Sequence, residues 1–565
     1  MRDRPHPLLI VGMPKTKAKT IRNASPTSSP PEPALSPKEQ RKLERAQAKN
    51  RQAIIQYSTQ VGIASALVAL VLSFALEPKL GVGAGLAIAC LAMAARFPRY
   101  AIYGFIFYLP FSGTVTYALG GSAILQLAKD AIFFPALIAV IWFCLKNKQP
   151  LIIPAMIKIP LIIYGTFLAA VFLFVNGSQQ LSAEGEIPLA VGLLGLKALV
   201  GYLLLITCIY YLIRTKEDLY FLLRSQVILI IICCGLAFLQ YLMLKTGRCE
   251  GTVGEGDALF KASLDSRCLV GGALLYSPEQ GQIRLPGTFV APWQWGWFLI
   301  SSAFFTFGTS FSDRAPLWRI LGLVSMAMVF IMSVLSGQRI ALALVPFVVV
   351  LLLFMTGQIL NLKRFLPIGI GLFLVLSIAA TQYADVVGER FDSFQSRWNA
   401  SPPQAFITEQ LHWAMERQKG LLGRGLGRAT NAARTFGDTV LVETYHSKVL
   451  YEVGPIGLFL MLALYTVLTF ATFRSYRLIK DPSLRGYGAS MFTFVLFISY
   501  FPYYYPLDVD PVNVYYWLAA GIVLKLPDID RQERLKKSET DESPGKLTKK
   551  ELKQLKKAQS AVEFK

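Results

Sequence analysis

The sequence predicts an all-α integral membrane protein of about fourteen transmembrane helices, and three observations carry that expectation. Of 565 residues, 54% are hydrophobic and only 16% charged, with a mean hydropathy of +0.46, outside the range of ordinary soluble domains. From residue 58 onward, apolar runs recur at lengths near the roughly 20 residues a helix needs to cross the hydrocarbon. The basic residues behind the net charge of +22 sit in two tails and in short loops, which points to membrane orientation and away from nucleic acid.

Residues 1–57 read as a cytoplasmic basic tail. A Ser/Pro-rich stretch around Ser25–Pro33 leads into a charged helix from Lys38 to Arg51, suited to anionic lipid headgroups. The apolar patch Leu8–Val11 is followed by lysines and prolines, unlike a signal peptide. The membrane domain covers 58–526, with spans expected at 58–76, 80–95, 100–119, 124–145, 159–175, 189–213, 227–244, 289–307, 317–335, 340–355, 365–380, 454–473, 487–500 and 512–526. An even number of spans puts both tails on one side. Lys146, Lys148, Lys158, Arg214, Lys216, Arg314, Arg319, Lys363, Arg364 and the basic residues of 474–485 share that side, so it is expected to be the cytoplasm. Residues 527–565 form a second charged cytoplasmic tail.

The external segments are then 176–188, 245–288, 336–339, 381–453 and 501–511. The largest, 381–453, joins helices 11 and 12 and is expected to be partly helical. Its stretch 404–420 carries Phe406, Leu411, Trp413 and Met415 among polar residues, with His412 on the surface. Five of the seven cysteines lie in apolar runs; Cys249 and Cys268 share the external loop 245–288, where an oxidising compartment favours a disulfide. The cysteines and histidines lack zinc-site spacing, and the short Asp508/Asp510 and Asp528/Asp530 pairs are common turn patterns, so no metal is expected.

Arg284 stands before one span and Arg339 at the outer mouth of another, where an arginine among apolar helices needs an anion or a wet cavity. Arg417, Lys419, Arg424, Arg428 and Arg434 add a cationic patch opposed by Glu416. Guanidinium groups match pyrophosphate with paired donors, and Gly423, Gly425 and Gly427 let a backbone approach phosphate. His446 opens a span with Glu443 one helical turn earlier, placed to orient the imidazole and raise its basicity. Lys129 and Asp130 lie inside the fourth span, as a bundle ion pair or a functional one.

The order of Arg284-Leu285-Pro286-Gly287-Thr288-Phe289, Ser336-Gly337-Gln338-Arg339, the Gly423–Gly427 run and His446-Ser447-Lys448 through Gly457 resembles the O-antigen ligase and O-antigen polymerase superfamily of bacterial membrane glycosyltransferases. The resemblance is strongest over 281–457. Ser447 stands where the family often has Asn, and Lys197 where it often has an arginine that contacts phosphate. The resemblance implies transfer of a saccharide from an undecaprenyl pyrophosphate-linked donor to a lipid- or glycan-linked acceptor hydroxyl, on the periplasmic face of the plasma (inner) membrane, inverting and without cofactor. His446 would take the acceptor's proton, while Arg284 and Arg339, helped by Arg424 or Arg428, would hold the pyrophosphate. Glycan polymerase activity differs only in the acceptor. The rival class is a transporter of a small anion such as bicarbonate, using Lys129, Asp130 and Lys197, though the sequence has no inverted repeat of broken helices.

Overall fold

The computed structural model describes residues 37–541 apart from 76–77, 122–127, 255 and most of 359–397. The expected span at 365–380 and most of both tails lie outside the described residues. The chain divides into two units, residues 1–64 and 65–565. In the first, the described residues belong to a single helix, α1 (Pro37–Ala75), which starts in the charged run and continues into apolar sequence.

The second unit is mostly helical over its described residues. It holds α2 (Pro78–Arg96), α3 (Pro98–Tyr108), α4 (Ser112–Ala118), α5 (Ala128–Lys146), α6 (Lys158–Ala170), α7 (Gly177–Ser182), α8 (Pro188–Val200), α9 (Leu205–Leu212) and α10 (Lys216–Lys245). A short antiparallel hairpin, β1 (Leu275–Ser277) and β2 (Gln282–Arg284), precedes α11 (Pro292–Ser312), α12 (Pro316–Leu335) and α13 (Arg339–Met355). After them come α14 (Pro403–Arg417), α15 (Tyr445–Leu478), α16 (Pro482–Tyr500) and α17 (Val512–Asp541).

Among the described residues, six helices are long and apolar enough to cross a bilayer, and the pair α8 and α9, bent by 44°, makes a seventh. That is fewer than the fourteen expected, for identifiable reasons. Residues 100–119 do not form one rod: Pro110 sits in a 3-10 turn, Leu109–Phe111, that separates α3 from α4. The expected spans at 80–95 and 340–355 fold as the shorter apolar helices Gly81–Arg96 and Arg339–Met355.

Helix α11 has the length but is rich in hydroxyl residues and is buried on almost every side. Ser301, Ser302, Thr306, Thr309 and Ser310 each donate to the carbonyl four residues earlier, which satisfies them without water. A helix walled by protein does not need lipid-grade side chains, and α16 and the first half of α17 are enclosed in the same way. The outer helices differ. Trp142, Ile159, Phe174, Phe354, Phe459 and Phe470 stand exposed, an apolar surface that water would not tolerate at this extent.

At the N-terminal end of α10, Thr215 and Asp218 form a capping box. Close by, Arg224 grips Asp313 through two 2.8 Å bonds, and the Tyr487 hydroxyl donates to the same carboxylate at 3.0 Å. One buried acid thereby ties α10, α11 and α16 together, with its charge fully paired.

Candidate functional site

The first half of the site is a pocket held by the hairpin. Cys249 and Cys268 are disulfide-bonded, and the buried Gln240 amide donates to the Cys268 and Val270 carbonyls at 2.9 and 2.7 Å, which fixes the loop leading into the hairpin. Arg284 ends β2. The next amide, Leu285 N, donates to the Ser336 carbonyl at 3.0 Å. Gly337 has φ +67°, and a Cβ there would lie 1.8 Å from the Ile283 oxygen, so only glycine lets this turn press against β2. The turn delivers Arg339, the first residue of α13, beside Arg284. Both line one pocket with Gln282, Ser333 and Gln338. Gln338 is only 5% exposed, and its Nε2 has no hydrogen-bond partner among the described residues. A buried donor left open at a helix start, in a pocket lined by two arginines, suits an anion.

The second half is the loop after α16. Thr444 pairs with Tyr503 in an antiparallel bridge, and Tyr445 N donates to the Pro502 carbonyl at 2.7 Å. Trp297 Nε1 holds the Tyr504 carbonyl at 3.0 Å. Tyr504 and Tyr505 adopt left-handed backbone angles, φ 61° and 38°, which cost bulky residues about 1–3 kcal/mol each. Their rings stack at 5.3 Å with 12° between planes. Burial pushes the Tyr504 phenol above its ordinary value, Arg284 pulls it down, Glu443 and Tyr503 push it up, and Arg339 pulls it down. That ring is therefore within electrostatic reach of both arginines and of Glu443.

His446 sits half-buried in the first turn of α15, on the segment that pairs with the tyrosine loop. Glu443 is not one helical turn before it, as the spacing suggested. The helix begins only at Tyr445, with Thr444 as its N-cap, so Glu443 lies before the first turn; its amide is held by Gln410 Oε1 at 3.2 Å and its charge acts on Tyr504 and Tyr505. Among the described residues, the His446 imidazole has neither a hydrogen bond nor an ion pair, which leaves its nitrogens open to a ligand.

The Gly423–Gly427 run has a different job from cradling phosphate. A Cβ on Gly427 would lie 2.0 Å from the Val191 carbonyl, one on Gly195 would lie 2.1 Å from Gly427 N, and one on Gly423 would lie 2.5 Å from the Glu452 carbonyl. The glycines let the loop lie flat against α8 and α15. Arg424 N and Gly425 N donate to the Tyr451 and Glu452 carbonyls at 2.9 Å each. From the other side, Asn176 accepts from Leu426 N at 2.9 Å and donates to the Leu426 carbonyl at 3.0 Å, copying a backbone partner. Asn176 ends a π-helical turn, Val171–Asn176, a local irregularity that places its amide there. We expect Gly427→Ala to destabilise the protein by more than about 1 kcal/mol, whereas Gly420→Ala, with φ +58° but open space around it, costs less; thermal unfolding in detergent compares the two.

The loop's cations divide accordingly. Arg428 is used by the protein: it pairs with Glu186 at 2.8 Å and donates twice to Gln179 Oε1, at 3.1 and 2.9 Å. The Asp438 amide and the Arg428 guanidinium hold the Glu186 carboxyl below its ordinary value, so this clamp is present at neutral pH and is released as pH falls through the folded-state pKa. Arg424 is exposed, with Nε on the Arg417 carbonyl at 2.6 Å. Lys197 is paired with Asp130.

That pair belongs to a buried ionic chain that sequence spacing did not reveal. Lys129 and Asp130 are neighbours in sequence, yet Lys129 reaches Asp510 at 2.9 Å while Asp130 takes Lys197 and the Tyr202 hydroxyl, the latter at 2.7 Å. Asp508 pairs with Lys448, a fully buried lysine one turn before Glu452. Glu452 Oε1 accepts from Ala429 N and Thr430 Oγ1 at 2.8 and 3.0 Å. Asp508 and Asp510 are thus engaged by lysines, and Asp528 and Asp530 by Lys525 and Arg534. Burial lifts the Asp508 carboxyl to about 6 against the pull of Lys448, with Glu452 and Asp510 adding to the rise.

Neither a family model nor a curated protein matches this chain.

Proposed function

We propose that the protein is a polytopic membrane glycosyltransferase of the O-antigen ligase type, with both tails in the cytoplasm of a bacterium and the site on the outer face of its plasma membrane. The observation that carries the reading is the shared pocket of Arg284, Arg339 and the open Gln338 amide, with His446 on the segment that pairs with the tyrosine loop. Two guanidinium groups, a neutral donor and a helix start suit a pyrophosphate. An unpaired imidazole nearby suits a proton acceptor.

In this reading the acceptor hydroxyl attacks the anomeric carbon of the lipid-linked donor. Its proton passes to His446 as the new glycosidic bond forms, and the bond between that carbon and the pyrophosphate oxygen breaks. Undecaprenyl pyrophosphate leaves as an anion neutralised by Arg284 and Arg339, so no general acid is needed, and a single displacement inverts the anomeric centre. Polymerase activity would use the same parts with a growing glycan as acceptor.

The test is transfer from a lipid-linked oligosaccharide in membranes containing the protein. Arg284→Ala and Arg339→Ala are each expected to lower transfer by about 10²-fold or more, in line with loss of one transition-state donor. Transfer unaffected by both changes would overturn the assignment. Bicarbonate uptake into liposomes that depends on Lys129 or Asp130 and not on Arg339 would replace it with the transporter reading.

A further inference from the structure

Three consecutive tyrosines remain that neither the pyrophosphate pocket nor the proton acceptor uses. Tyr503, Tyr504 and Tyr505 are partly exposed, and their rings form a continuous series: Tyr503 lies 5.9 Å from Tyr504, and Tyr504 stacks on Tyr505. Phe406 of α14 meets Tyr503 edge-on at 5.8 Å, closing one side. The loop is held in place from several directions, by the Thr444 bridge, by Trp297 on the Tyr504 carbonyl and by Asp508 N on the Tyr505 carbonyl at 3.1 Å. Two of the three residues keep positive φ, a conformation for which glycine would be the easy choice, yet aromatic rings stand there. Among the described residues, the Tyr504 and Tyr505 hydroxyls have no partner.

The rim of this aromatic series is charged. The charges that act on these phenols are Arg284 and Arg339 at Tyr504, and Glu443 and Arg434 at Tyr505; Asp508 acts there too but is held by Lys448. An isoprenoid chain would avoid such a rim. A pyranose ring matches it, since it offers a C–H face to aromatic rings and hydroxyls to the charged groups around them.

We propose that Tyr503–Tyr505 form the platform that binds the donor's first sugar, the residue attached directly to the pyrophosphate. The assignment rests on the pyrophosphate reading of Arg284 and Arg339, whose charges both reach the Tyr504 ring. It adds a subsite for the sugar ring itself, separate from the groups that hold the leaving group.

The experiment measures equilibrium binding to the full-length protein in lipid nanodiscs, using two probes: undecaprenyl pyrophosphate carrying one N-acetylhexosamine, and bare undecaprenyl pyrophosphate. Tyr504→Leu and Tyr505→Leu are expected to weaken binding of the glycosylated lipid about tenfold while leaving the bare lipid within about twofold. Unchanged binding of the bare lipid also reports an intact fold. Tyr504→Phe and Tyr504→Trp keep a ring and are expected to retain the preference for the glycosylated probe. Arg339→Ala is expected to weaken both probes.

If the leucine variants leave the preference intact, or the tryptophan variant abolishes it, the platform is wrong even where Arg339→Ala weakens both probes. A change confined to the acceptor's KM would assign the tyrosines to the acceptor and overturn the donor subsite. If wild type binds neither probe, or Arg339→Ala changes neither, the pyrophosphate reading fails and the platform falls with it.

Discussion

His446→Ala is expected to lower the turnover of glycosyl transfer by about 10²–10⁴-fold, the usual contribution of a positioned general base, with little change in donor affinity. The imidazole is half-buried, on the segment that pairs with the tyrosine loop, and makes no hydrogen bond or ion pair among the described residues. Its removal therefore breaks no observed structural bond, and the loss reads on chemistry alone. His446→Gln, which keeps the size and a hydrogen-bonding amide, is expected to be as inactive as alanine, because it cannot accept a proton at neutral pH. Initial rates at saturating donor check both variants. A glutamine enzyme with near wild-type turnover would show that the group orients the acceptor and does not take its proton.

The second large effect concerns the buried Lys448 and Asp508 pair, and its sign is opposite to the usual intuition. Asp508 titrates at about 6 in the fold, because burial outweighs the attraction of Lys448, whereas an exposed aspartate titrates at about 3.9. Above pH 6 both folded and unfolded chains are ionised there, and the fold bears the full cost of the buried charge. As pH falls from 6 to 4, the folded chain takes up a proton the unfolded chain does not. Stability from this group therefore rises on acidification, by up to about 3 kcal/mol once pH is below 4.

Asp508→Asn mimics the protonated acid. It is expected to meet wild type only below about pH 4, to exceed it by a growing margin from pH 5 to pH 8, and to lack this pH slope. Lys448→Met removes the cation and leaves carboxylates facing each other, with an expected loss of about 3–5 kcal/mol at neutral pH. Melting temperatures of the detergent-solubilised protein between pH 4.5 and 8 decide the matter. A wild type that gains stability from this group on alkalinisation would reverse the argument.

Much of the helical plan was legible because apolar runs are long and the outer helices need lipid-compatible side chains. The count of spans was less legible. α11, α16 and the start of α17 are enclosed by protein, so their sequences obey core rules, and Ser301 or Thr306 looks the same in either setting until the back-bonded carbonyls are located. Of the site, Arg284 and Arg339 were marked by charge beside apolar spans, and the fold lines one pocket with both; Glu443 was marked only by its spacing from His446. The cysteine pair was legible from its shared loop.

Other features were not legible, because they depend on partners far away in sequence. The glycines of 423–427 signalled close approach correctly, but the surface approached is α8, through Gly195 and Val191. Lys129 and Asp130 suggested one local pair and proved to belong to two, through Asp510 and Lys197. Nothing in the sequence singled out Tyr503–Tyr505; their distinguishing signal, bulky residues at positive φ, exists only in the backbone.

Asn176 has a consequence for how the chain is made. Its side chain closes on Leu426, a partner 250 residues later in the sequence. At about 5–20 residues per second, the ribosome needs roughly 12–50 s to cover that interval, and throughout it this amide has no backbone to copy. Asn176 can meet the Pro188 carbonyl at 3.2 Å early, but its seat must wait for Leu426 and is completed only after the chain has passed α14. Biogenesis would be most exposed to quality control during that wait, well before the final helix is made.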